Sequence, residues 1–198
     1  MIPEATLVLA LIIVFFADFA LHRSERRTST LGVLTGVLLL CQLVPCLMAE
    51  PAEAFGGIYV STPIVNVMKV ILTAGTFIVV VMSQAWLTSG EWKVESGKFA
   101  TAHDASADGT AVANSTLYTL NSKLSGEYYM LLLSTLLGMY MMMSSGSFLM
   151  FFLGLEMASV PLACMVAFDK DKKNSAEGAA KYILVATFSS GVMLFGIS

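Results

Sequence analysis

The chain has 198 residues, 57% of them hydrophobic and only 13% charged, with a net charge of −3. Soluble domains are about 45–50% apolar and about 25% charged, so this composition, with a mean hydropathy of +0.78, excludes an ordinary soluble globule and places the chain in the membrane class. Cys41, Cys46 and Cys164 all lie in apolar segments without a Cys-x-x-Cys or Cys/His cluster, so neither a disulfide framework nor a metal site is expected.

The first apolar run is Ile2 to Leu21, followed by His22-Arg23-Ser24-Glu25-Arg26-Arg27. A secretory signal carries its positive charge before the apolar region; here it comes after, which predicts a retained membrane helix. The second run, Ser29 to Met48, is expected to break late, at Pro45, into loop residues Glu50 to Gly57. The third covers about Pro63 to Leu87. Residues Gly90 to Ser125 are polar and rich in Ala, Ser, Thr and Asp, which predicts a flexible loop with little core of its own. His103-Asp104 within it reads as a solvated pair, not a metal site. The fourth run is about Tyr128 to Met143, opened by Gly126 and Glu127; Met141, Met142 and Met143 read as packing or lipid contact. The fifth extends from Ser147 to Phe168, and the sixth from near Ala176 to Ser198. Each run is about 16–25 residues, and roughly 20 helical residues cross a hydrocarbon core.

The basic residues support this division. Arg23, Arg26 and Arg27, then Lys93, Lys98 and Lys123, then Lys170, Lys172 and Lys173 fall between spans one and two, three and four, and five and six. The alternate connections have none. The loaded side is expected to be cytoplasmic and the N-terminus external. The expected fold is all-α: a polytopic membrane protein of about six transmembrane helices, organised as residues 1–89 with three spans, a polar cytoplasmic loop at 90–125, and residues 126–198 with three more.

Chemistry enters with charges inside the spans. Glu156 sits about nine residues into its run, roughly 13 Å along a helix. A carboxylate at the centre of a membrane helix costs roughly 2.5–3.5 kcal/mol on insertion scales, and such residues mark ion or proton pathways. Pro161, five residues on, removes a helical hydrogen bond and is expected to bend the helix. Lys181 lies about five residues into the sixth span, roughly 8 Å deep. Its long stem can snorkel to the interface, and Glu177, one turn earlier, can pair with it. Lys69 occupies a similar place near the outer side of span three. Asp18, near the inner end of span one, reads as an interfacial or pairing residue. Burial disfavours charge on Glu and Lys alike, while proximity favours it, so a buried pair has two states of comparable energy. No nucleophile triad, phosphate loop or haem ligand pair is present; no catalytic, cofactor-binding or metal-ligating residue is assigned.

Four blocks carry a resemblance: Gly126-Glu-Tyr-Tyr-Met-Leu-Leu-Leu-Ser134, Phe152-Leu-Gly-Leu-Glu-Met-Ala-Ser-Val-Pro-Leu162, Ala167-Phe168, and Ser175-Ala-Glu-Gly-Ala-Ala-Lys-Tyr-Ile183. In sequence these resemble subunit N of respiratory complex I, the proton-translocating NADH:quinone oxidoreductase. That subunit belongs to an antiporter-like family. The match is looser over the first three spans, where Val67-Met-Lys69 resembles the family's Phe-Lys pattern, and fails over the polar loop. Gly146-Ser147-Phe148 and Ala163-Cys164 also depart from the common pattern.

The resemblance implies that the six helices are the first part of an antiporter-like bundle, an N-terminal portion of a longer subunit that would not translocate protons alone. Glu156 and Lys181 would be a charged coupling pair at a proton half-channel, with Lys69 and Glu177 in weaker supporting roles. The implied function is that of a membrane-arm subunit without redox chemistry of its own, in the inner (plasma) membrane of a bacterium. NADH, FMN, iron–sulfur clusters and quinone would be handled by other subunits. Its partners would be other membrane-arm subunits and the lipid bilayer, not nucleic acid. The alternative is a larger complex I paralogue or a subunit of a multisubunit sodium/proton antiporter, which tend to carry Trp before the helix-five glutamate, where this chain has Leu155. A non-transporting scaffold is the second alternative; it would gain nothing from burying Glu156 and Lys181.

Overall fold

The structure, a computed structural model, describes residues 2–21, 27–88, 109–168 and 173–198. Six helices account for nearly all of it: α1 (Ile2–Ala20), α2 (Arg27–Met48), α3 (Pro63–Thr88), α4 (Gly109–Met143), α5 (Phe148–Val166) and α6 (Lys173–Ile197). Between α2 and α3 lies a two-stranded antiparallel hairpin, β1 (Ala52–Ala54) and β2 (Tyr59–Ser61).

The molecule is inverted relative to a soluble protein. Phe15, Phe16 and Phe19 on α1, Val33, Val37 and Leu40 on α2, and Ile64, Ile71 and Ile78 on α3 are all exposed. Thr35, Gln42, Asn66, Lys69, Thr73 and Thr135 are buried. An exposed apolar surface of this extent around a partly polar interior fits lipid, not water. Interior hydroxyls are satisfied within their own helices: Thr35, Thr73 and Thr135 donate to the carbonyls of Leu31, Lys69 and Leu131, at 2.7, 2.6 and 2.8 Å. This is the usual solution where water is absent.

Among the described residues, five helical segments are long and apolar enough to cross a membrane: Ile2–Ala20, Ser29–Met48, Pro63–Gln84, Phe148–Val166 and Asn174–Ile197. The exception, α4, is diluted by Tyr128, Tyr129, Ser134, Thr135 and Tyr140, yet it is the centre of the bundle. Tyr129, Leu132, Leu133, Leu136, Leu137 and Tyr140 form a buried stripe at helical spacing and supply half of the core, against Leu7 and Val14 of α1, Leu31, Leu39 and Cys46 of α2, and Val80 of α3. A helix enclosed by others needs no strongly apolar outer face. The chain is thus an all-α, multi-pass membrane protein, with α5 packed on α4 and α6 packed on α5.

Three boundaries differ from the sequence expectation. The polar stretch expected as loop is helical from Gly109, so α4 runs unbroken through residues 109–125 and the boundary at 125/126 is not structural. The segment has no Pro, and Leu117, Leu120 and Leu124 recur at helical spacing toward Tyr128. Extending an existing helix adds one hydrogen bond per residue fixed, while Asn, Ser and Thr cost only a few tenths of a kcal/mol each, about 0.7 at most. Residues 90–108, with His103-Asp104, lie outside the described residues. Pro45 does not break α2, which continues to Met48; a proline this near the end forfeits one hydrogen bond in a turn that is ending anyway. The stretch expected as loop at Glu50 to Gly57 contributes β1 and the turn of the hairpin. Phe55, Gly56 and Gly57 reverse the chain at φ of 54°, 66° and 89°, a left-handed run that glycine permits.

The hairpin caps one end of the bundle. Val60 N–H donates to the Ser144 carbonyl at 2.9 Å, and Gly146 N–H to the Ile58 carbonyl at 2.7 Å. The α4–α5 turn is thereby stitched to β2. Ser147 then caps α5, its hydroxyl accepting from Met150 N–H at 3.3 Å. The far end is marked by Gly126 against Asp18 and by the Tyr128 and Phe168 rings, 5.6 Å apart. Of the nine loop cations, Arg27, Lys123 and Lys173 fall in described helices, and all three lie toward the far end.

Candidate functional site

Glu156 is the ninth residue of α5, a helix roughly 28 Å long at 1.5 Å per residue. It is half-buried at mid-length. Its position follows from the packing of α5 on α4. Gly154 and Ala158 face α4 at the closest approach of the two helices, and Glu156 lies about 200° around the helix from Gly154. The carboxylate therefore projects away from α4. Ser159 Oγ donates to the Glu156 carbonyl at 3.3 Å. No hydrogen bond or ion pair of the Glu156 carboxylate is found among the described residues. Pro161 is buried within an α5 that continues to Val166.

Lys181 is not brought to Glu156. It pairs with Glu177 on its own helix, Nζ to Oε1 at 2.6 Å, in the i,i+4 arrangement. Both side chains are exposed, 73% for Lys181 and 59% for Glu177, on a face of α6 that also presents Leu184, Val185 and Phe188. In axial terms Glu156 lies about twelve residues from Phe168, and Lys181 about five from Ala176, a difference of roughly 10 Å.

Lys69 is the opposite case. It is fully buried, and its ammonium is paired with the carboxylate of Glu4, whose side chain is 15% exposed. Glu4 Oε1 also accepts from Tyr59 Oη at 2.8 Å and from Ser144 Oγ at 3.1 Å. The Lys69 ammonium stands 5.6 Å from the centre of the Tyr59 ring and 5.7 Å from that of Tyr140, within the range of cation–π attraction. Burial and the neighbouring Glu4 carboxylate push the Tyr59 phenol up to about 12.

Glu4 was not singled out in the sequence. The signal was present: an acidic residue at the start of an apolar run, and an opposite charge near the start of span three. Antiparallel alternation puts the beginnings of spans one and three at the same end. Glu4 is the third residue of α1 and Lys69 the seventh of α3; the offset of four residues is about 6 Å along the axis, which a lysine stem covers.

Residues 145–198, covering the α4–α5 turn, α5 and α6, match the family described as NADH:quinone oxidoreductase/Mrp antiporter, transmembrane region. Along 98% of its length the chain is 42% identical to a protein from Phocaeicola vulgatus named NADH-quinone oxidoreductase subunit N. It is 35% identical over 98% of its length to a protein of the same name from Azobacteroides pseudotrichonymphae. A third such protein, from Herminiimonas arsenicoxydans, is 30% identical over the whole chain. In each case the chain spans about 35% of the relative's length. Within that span, with its inverted bundle and Glu156 inside the matched region, the chain belongs to the family of NADH-quinone oxidoreductase subunit N.

Proposed function

We propose that this chain forms part of an antiporter-like membrane-arm subunit of a proton-translocating NADH:quinone oxidoreductase, with Glu156 as its protonatable group. It would sit in the inner (plasma) membrane of a bacterium, N-terminus outside, against other membrane-arm subunits and lipid. The observation that carries the reading is Glu156: a half-buried carboxylate at mid-helix, directed away from α4, inside the segment that matches the transmembrane family. A carboxylate at the middle of a membrane helix is costly to hold and marks an ion or proton pathway. Lys181 and Glu177 place a second charged pair on α6. Their separation from Glu156 favours coupling through water or through a charge on a neighbouring subunit over a direct bond. NADH, flavin, iron–sulfur and quinone chemistry is assigned to other subunits, and this chain contributes a proton half-channel.

Glu156→Gln tests the reading, since it keeps shape and removes charge. In the assembled complex it should lower proton pumping and coupled quinone reduction together, while Glu156→Asp keeps more of both. Normal pumping by an assembled Glu156→Gln complex would return Glu156 to a packing role.

A further inference from the structure

Glu4, unlike Glu156, is a meeting point of polar groups from several parts of the fold. Its Oε1 joins four parts of the chain: α1 through Glu4 itself, β2 through Tyr59, α3 through Lys69, and the end of α4 through Ser144. We propose that the Glu4–Lys69 pair and the β1–β2 hairpin form a latch that seals this end of the α1–α4 bundle against water and small hydrated cations. The proposal goes beyond the role assigned to Glu156 and does not depend on it.

Beneath the pair, polar groups continue inward. The Tyr140 hydroxyl is hydrogen-bonded to Thr73 Oγ1 and lies 3.1 Å from Cys46 Sγ; Thr73 in turn donates to the Lys69 carbonyl at 2.6 Å. Gln42 adds a bond from its amide to the Pro3 carbonyl. An apolar core would repel water by itself. A line of hydroxyl, thiol and amide groups would solvate it if the end opened. What closes the end is the hairpin, held down by backbone bonds to Ser144 and Gly146 at one edge and by the Tyr59–Glu4 bond on its inner face. The pair supplies the charge that makes the closure specific. Glu4 draws the tyrosine hydroxyl, the serine hydroxyl and the ammonium onto one oxygen, while the two tyrosine rings cover the ammonium. Removing one partner strands the other charge in a buried site, which is strongly destabilising, whereas removing both is not.

Cys46 reports on the latch. It is 1% exposed in the core, while Cys41 and Cys164 lie on outer faces. In the membrane-assembled protein, with every other cysteine replaced by serine, a permanently charged methanethiosulfonate reagent should label Cys46 very slowly. Glu4→Gln and Lys69→Met should each raise the labelling rate at least ten-fold. Glu4→Gln/Lys69→Met strands no charge and should assemble like the parent, yet without the pair it should still label several-fold faster than the parent. Tyr59→Phe keeps the ring and both charges but loses the donor, and should give an intermediate rate even where a charge variant fails to assemble. Parental labelling in Tyr59→Phe and in both single charge variants would overturn the latch. So would a double variant that assembles and labels at the parental rate, since the end would then stay sealed without the pair.

Discussion

Gly138 on α4 and Gly154 on α5 bring the two backbones into contact: a β-carbon added to Gly154 would stand 3.0 Å from the Gly138 carbonyl oxygen and 2.6 Å from the Met142 nitrogen. One added to Gly138 would stand 2.5 Å from the Ala158 nitrogen. The obstructing atoms are backbone, so they cannot swing aside. Small residues at such crossings are how membrane helices approach closely when no hydrophobic driving force separates protein from lipid. Because α5 carries Glu156, this contact also sets the direction in which the carboxylate points.

Alanine at either glycine should therefore destabilise the bundle. Overpacking of this kind costs typically about 1–3 kcal/mol. Gly191→Ala on α6, where an added β-carbon meets nothing within 4 Å, is the matched control and should be neutral or slightly stabilising. Unfolding in mixed micelles measures all three. Equal stability of Gly154→Ala and Gly191→Ala would show that the crossing relaxes without cost.

Tyr59 gives the hairpin an alkaline limit. Its phenol rises from about 10 to about 12, chiefly through burial and then through donation to the Glu4 carboxylate, whose charge also opposes phenolate formation. The folded-state value is raised, so the neutral phenol's contribution is fully present below pH about 10 and is lost as pH climbs through about 12. The absorbance titration of the parent minus that of Tyr59→Phe isolates this group. Its midpoint should fall near 12; a midpoint at the value of a free phenol would mean that Tyr59 is neither buried nor bonded to Glu4.

Membrane topology is a separate prediction. The structure brings Asp18, Gly126 and Phe168 to one end of the bundle and the hairpin to the other. The positive-inside rule, applied to the Lys and Arg residues between spans one and two, three and four, and five and six, predicts that the first of these ends is cytoplasmic. A single cysteine introduced at Glu53, exposed on β1, should react in intact cells with a reagent that cannot cross the membrane. Protection of Glu53→Cys together with labelling of a cysteine at Ser125 would invert the orientation.

How far the sequence was legible depended on how local each signal was. The outer spans were read from hydropathy because lipid contact demands apolar side chains in one continuous run. The N-terminal part of α4 was missed because Asn, Ser and Thr signal loops by composition, whereas helix propagation is decided by backbone bonding. The Phe55-Gly56-Gly57 turn was visible as a reversal but not as a hairpin, since β2 is completed by Ser144 to Gly146, eighty-odd residues away. Glu156 stood out because it has apolar residues on both sides. Glu4 did not, because a charge at the edge of an apolar run looks like an interfacial residue; only the meeting of α1 with α3 turns it into the partner of Lys69. The same distance effect separates Lys181 from Glu156. The two are close in sequence and on neighbouring helices, yet the nearer acid on its own helix, Glu177, takes the lysine.

That last pairing separates folding from function in a way that can be measured. Exposed i,i+4 ion pairs contribute only about 0.3–0.5 kcal/mol in water, and both partners here are more than half exposed. Removing the pair should therefore leave the helix and the bundle intact. A lysine and a glutamate on an outward, otherwise apolar face of a membrane helix are nevertheless costly to present to lipid, so that face is expected to meet protein or water in the assembled complex. Lys181→Ala should leave expression and assembly within about two-fold of the parent, as the small size of an exposed pair requires, while lowering coupled proton pumping severely. The exchanged variant Glu177→Lys/Lys181→Glu keeps an ion pair and the net charge but reverses its direction along the axis. If Lys181 acts only as a partner for Glu177, the exchanged variant should pump like the parent. If its positive charge is needed at that position, as the proposed coupling requires, the exchanged variant should fail as Lys181→Ala does. Full pumping by the exchanged variant would remove Lys181 from the coupling path and leave Glu156 to act without it.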